Sequence, residues 1–116
     1  MSQTDIKEVE LSIEHAKGMV MRGHMAQRLA ANSDFKKLVL EGYFVEEAAR
    51  LAHLSSDPNI PEEVRAFVMR DLNGVGAFKR YLSAIVQMGL QAETELQEQM
   101  ETLDEIRSEE LGEVSE

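Results

Sequence analysis

The sequence predicts an all-α protein. It predicts a helical hairpin from the first two segments, packed on a long third and fourth helix, straight or kinked, with a coiled-coil-like C-terminal end. Three observations predict this. Apolar residues recur at 3–4 spacing through most of the chain, and alternation with period 2 is rare. The apolar content comes from Leu, Val, Ala, Ile and seven Met, with four Phe, two Tyr and no Trp. Only two prolines are present, and one dense cluster of turn residues, from Ser55 to Pro61, interrupts the helical pattern.

The first helix is expected to begin near Thr4, an N-cap residue followed by Asp5 and Glu8 in the first turn. Ile6, Val9, Ile13, Ala16 and Val20 share one stripe, which drifts toward Met21, Met25 and Leu29. Gly18 and Gly23 each weaken a helix by about 1 kcal/mol relative to Ala, and close helix packing is the favoured explanation for them, with a hinge as the alternative. Asn32, Ser33 and Asp34 form a stop-and-restart signal with N-cap chemistry.

The second helix is predicted from about Asp34 to Leu54, with Phe35, Leu38, Val39, Phe44, Ala48, Leu51 and Leu54 on its apolar face. At Gly42–Tyr43 both a kink and an unbroken helix are open. After the loop, Pro61 suits the first helical position, with Glu62 and Glu63 at the favourable end of the dipole. The pattern then runs nearly to Leu111, with a kink or short break expected at Asn73–Gly76 and fraying from Leu111 onward.

Charge divides the chain unevenly. Residues 93–116 hold ten acids and one base, Arg107, while residues 1–92 hold twelve acids and eleven bases. A nearly neutral helical bundle, residues 1–92, is therefore expected to carry an acidic helical extension, residues 93–116, whose end frays. The bases are scattered in short pairs such as Lys36/Lys37 and Lys79/Arg80, which disfavours direct nucleic-acid binding. No apolar run approaches the roughly 20 residues of a membrane span. The polar, acidic start is unlike a secretory signal, and the chain has no cysteine, so a protein of the cytoplasm is the expectation.

Catalytic patterns are not evident. His15, His24 and His53 lack zinc-ligand and di-iron spacing. Glu46/Glu47 and Glu62/Glu63 sit on polar faces or at helix starts, where solvation is the ordinary fate of a carboxylate. Gly74-Val75-Gly76 lacks the third glycine and preceding strand of a dinucleotide site. No catalytic residue, metal or cofactor is expected. The helical methionines, Met19, Met21, Met25, Met69, Met88 and Met100, are expected as core filler rather than as a binding groove.

The strongest functional signal is a seam. Val75, Phe78, Leu82, Ile85, Gly89, Ala92, Leu96, Met100, Leu103 and Ile106 follow mostly 3–4 spacing. A helix from Ala77 to Glu110 is about 50 Å long, against about 40 Å for the first helix. The last turns are thus expected to outrun the bundle and expose their stripe. The expected interface is Leu96, Met100, Leu103 and Ile106, flanked by Glu98, Glu101, Asp104 and Glu105. The alternative is that the stripe folds back on the amino end of the first helix. Arg65, Arg70, Lys79 and Arg80 are bases that could meet tail acids of a neighbouring copy.

The stretches DFKKLVLEGYFVEEAARLAHL, SSDPNIPEEVRAFVMRDLNGVGAFKRYL and ETLDEIRSEE resemble a group of small acidic helical proteins of tailed bacteriophages. In that group such proteins lie among virion-structure and morphogenesis genes, and the similarity covers about residues 10–110. The resemblance implies a virion component or assembly factor, in the cytoplasm of an infected bacterium or in the particle, and no catalytic residues. The expected function is therefore non-enzymatic protein–protein interaction, as a homo-oligomer or with a phage structural or host protein. The alternative is an acidic mimic of DNA that inhibits a host nucleic-acid-binding or defence protein.

Overall fold

A computed structural model of the chain describes residues 3–115, and every described residue outside Asn32 and the 56–61 loop is helical. The fold is all-α, a helical hairpin with a long C-terminal helix. In order the elements are α1 (Gln3–Ala31), a short turn α2 (Ser33–Phe35), a π-helix π1 (Lys36–Glu47), α3 (Ala48–Ser55) and α4 (Glu62–Ser115).

α1 starts one residue before Thr4, which therefore lies inside the first turn. Asp5 in that turn and Arg28 in the last complement the helix dipole. Asn32 stops the helix as the sequence predicts. Its backbone is extended, with φ −68° and ψ 127°, and its side chain accepts a hydrogen bond from the Phe35 amide at 3.0 Å.

Through Gly42–Tyr43 the chain stays helical but does not continue as an ordinary α-helix. It widens into π1, where hydrogen bonds close five-residue turns. A Cβ built on Gly42 would lie 2.9 Å from the Lys37 carbonyl oxygen, so glycine is what lets the widened turn close there. The altered phase breaks the apolar face expected for this helix. Phe44, Ala48, Leu51 and Leu54 pack inward, while Leu38 turns out to solvent.

The loop is held by its own polar groups. The Asp57 carboxylate accepts from the Asn59 amide at 2.9 Å. The Arg65 guanidinium reaches back from α4 to donate to the carbonyls of Ser55 and Asp57, the latter at 3.0 Å. It also lies 3.3 Å from Glu62, so Arg65 serves the loop and is not held for a tail acid. The Pro61 carbonyl accepts from the Arg65 amide at 3.0 Å, which makes Pro61 the N-cap of α4, one residue ahead of the first helical position expected for it.

α4 is a single helix of 54 residues, and the break expected at Asn73–Gly76 is absent. No described glycine has a positive φ. Val75, between the two glycines, is buried, and its packing outweighs the weak helix propensity around it. The helix also persists to Ser115, past Leu111 where fraying was expected; Glu116 lies outside the described residues.

The chain forms two compact units, residues 1–25 with 85–116, and residues 26–84. This division differs from the expected boundary at residue 92. The acidic extension is not separate, because it belongs with the first part of α1. In the first unit α1 and α4 run antiparallel, and Ile13, Ala16, Ala92, Leu103 and Ile106 are buried. In the second unit Leu51, Val68 and Val75 form the core, with Phe44, Ala48, Leu54 and Leu72 against it. Five of the six helical methionines are not core filler: Met21, Met25, Met69, Met88 and Met100 are exposed, while Met19 is half-buried. A pair of helices hides one stripe on each, and here the stripes are filled by Ile, Val, Leu and Ala.

Candidate functional site

The predicted interface on the last turns of α4 is divided by the fold. Leu103 and Ile106 are only 8% and 4% exposed. Leu96 is half-buried, and Met100 alone of the four is open, at 49%. The expectation that all four stand free is thereby corrected, and the folded-back alternative is the one observed. α1 reaches these turns because it runs antiparallel to them: Arg107 lies 3.3 Å from Glu10, and His24 lies 2.8 Å from Glu93.

Spacing explains the error at Met100. The buried stripe follows 85, 89, 92, 96, 99, 103 and 106, so the position between Leu96 and Leu103 belongs to Gln99. Apolarity favoured Met100 in the sequence, but strict 3–4 register favours its neighbour. The Gln99 Oε1 atom is buried and accepts no hydrogen bond. Glu98, Glu101, Asp104 and Glu105 are all exposed on the other faces of the helix. What the arrangement offers to solvent here is an acidic surface with Met100 set into it.

A second surface lies in the other unit, on the first third of α4. Phe78 packs against Phe44 with ring centroids 5.4 Å apart and meets Tyr43 edge-on at 6.3 Å. Phe67 is 61% exposed, and its ring is capped by the Arg70 guanidinium at 5.4 Å from the centroid. Val64 is exposed one turn earlier. This surface lies outside the core stripe of the helix. Its signal in the sequence is a second 3–4 series on the same helix: Val64, Phe67, Asp71, Gly74 and Phe78.

Among the described residues no cluster of His, Asp and Glu could hold a metal ion, and no helix is long and apolar enough to cross a membrane. No family model matches the chain, and no curated protein or solved structure matches it.

Proposed function

We propose that this chain is a non-enzymatic interaction protein, a bacteriophage virion component or assembly factor that works by burying exposed apolar side chains of its own long, acidic C-terminal helix against its partners. One observation supports this above others. The long helix α4 leaves large apolar side chains exposed along its length, among them Val64, Phe67, Met88 and Met100. Exposed apolar surface beyond scattered single residues marks association sites.

The test is lysine-directed cross-linking in cells making the natural protein, followed by fractionation of particles and their precursors. Cross-links to particle proteins, with the chain in either fraction, are expected. A chain found only free, with no cross-link to another protein, would sink the reading.

The inhibitor reading draws on charge. Residues 1–25 and 85–116 together carry four bases against fourteen acids, the whole net charge of −10. A basic protein surface is the natural complement of such a unit. Cross-links to a host nucleic-acid-binding protein that vanish at high salt would favour this reading over a virion role.

A further inference from the structure

We infer that one turn of α1 holds a site for a soft monovalent cation, copper(I), with the thioethers of Met21 and Met25 and the Nδ1 atom of His24 as its ligands. The inference goes beyond the interaction reading above and does not depend on it.

Helix geometry brings the three together. Successive residues of an α-helix are turned by about 100° and raised by about 1.5 Å. His24, Met21 and Met25, in that angular order, therefore fall within an arc of about 100° and a rise of about 6 Å. Gly23 points the opposite way. It is buried, and a Cβ built on it would lie 3.0 Å from the Gly89 Cα of α4. That contact fixes the rotation of α1 and leaves both methionines facing solvent, 63% and 54% exposed. Neither side chain is held by the core. Of all the methionines in the chain, these are the only two set one helical turn apart.

Glu93 decides what His24 can do. The His24 Nε2 atom lies 2.8 Å from the Glu93 Oε1 atom. An ionised carboxylate only accepts hydrogen bonds, so Nε2 carries the proton, and Nδ1 of the neutral ring keeps its lone pair. Histidines that bind metals are commonly held in this way. The second ring nitrogen donates to a carboxylate, which fixes the tautomer and makes the coordinating nitrogen more basic. Glu93 stands on α4, so the helix opposite the ligands supplies the group that orients one of them.

The donor set chooses the ion. Thioether sulfur is soft and uncharged, and with imidazole it suits copper(I), whereas magnesium and calcium take oxygen ligands. The chain has no cysteine, so no thiolate within it competes for the ion. Lys17 and Arg28 lie one turn to either side on the same arc of α1. Their repulsion scales with the charge of the ion, so they disfavour a divalent cation more than a monovalent one.

Silver(I) is the probe, being soft and monovalent like copper(I) and stable in air. It is titrated into the full chain while the methionine methyl groups and histidine ring nitrogens are followed by NMR. One equivalent should move the methyls of Met21 and Met25 and the ring of His24, and leave Met69, Met88 and Met100 in place. Met21→Leu and Met25→Leu keep the side-chain volume on an exposed face, so the fold holds. Each should raise the silver dissociation constant by about tenfold or more, and Glu93→Ala by about 10–100-fold through His24. Glu95→Ala removes the same charge from an exposed position of α4 and should leave binding nearly unchanged. Copper(I), competed against a chelator without oxygen, should rank the variants in the same order. Silver that shifts every exposed methionine alike overturns the inference. So does a dissociation constant indifferent to both leucine variants, or an equal response to Glu93→Ala and Glu95→Ala.

Discussion

Gly23 of α1 and Gly89 of α4 touch backbone to backbone: a Cβ built on Gly89 would lie 2.9 Å from the Gly23 Cα and 3.2 Å from the Met19 carbonyl oxygen. Neither neighbour is a side chain that can swing aside. The two helices approach closely there, with Ala16 and Ala92 buried nearby on the same stripes.

Gly89→Ala should therefore destabilise the protein by about 1–3 kcal/mol, despite the better helix propensity of alanine. Gly18 is the control, because a Cβ there meets nothing within 4 Å. Gly18→Ala should stabilise by up to about 1 kcal/mol. Urea unfolding followed by circular dichroism reads both. Shifts of the same sign would mean the glycine contact does not set the helix separation.

The last turns of α4 give a second contrast. Ile106 is buried, and Ile106→Ala should cost about 2–5 kcal/mol. Met100, six residues away and exposed, should lose no more than about 0.5 kcal/mol as Met100→Ala. If both substitutions prove equally mild in denaturant titrations, α1 does not cover this end of the helix.

Gln99 places an unsatisfied acceptor inside an otherwise apolar stripe. Such an atom costs roughly 1–3 kcal/mol of desolvation. Gln99→Leu should raise stability by about 1 kcal/mol, measured as a higher urea midpoint at unchanged slope. A lower midpoint would show that the glutamine has a polar partner worth more than its burial costs.

Arg65 ties the loop to α4 by donating to two carbonyls from one guanidinium. Arg65→Ala should lose about 1–3 kcal/mol, and Arg65→Lys should recover little, because an ammonium cannot span both acceptors as a planar fork does. Hydrogen exchange should quicken first at the amides of Ser56 and Asp57, which bond back to His53 and Leu54. Full recovery by lysine would reduce the role of Arg65 to its charge.

The sequence alone determined the helical class, the stop at Asn32, the turn from Ser55 to Pro61 and, to within one residue, the start of α4 beside Pro61. Each of these is local. Capping, turn chemistry and 3–4 periodicity act within a few residues, so they are written where they operate. The asymmetry of charge was equally legible. Tertiary structure decided the rest. It carried α4 unbroken through Gly74 and Gly76, because burial of Val75 outweighs the propensity of its neighbours. It widened the helix around Gly42 and so turned Leu38 outward. It also laid α1 along Leu103 and Ile106. A stripe states that a helix has an apolar side. Which other helix covers that side depends on contacts between residues far apart in the chain, such as Glu10 with Arg107 and Gly23 with Gly89. No local pattern encodes those pairings, because their energy exists only once the two helices are side by side.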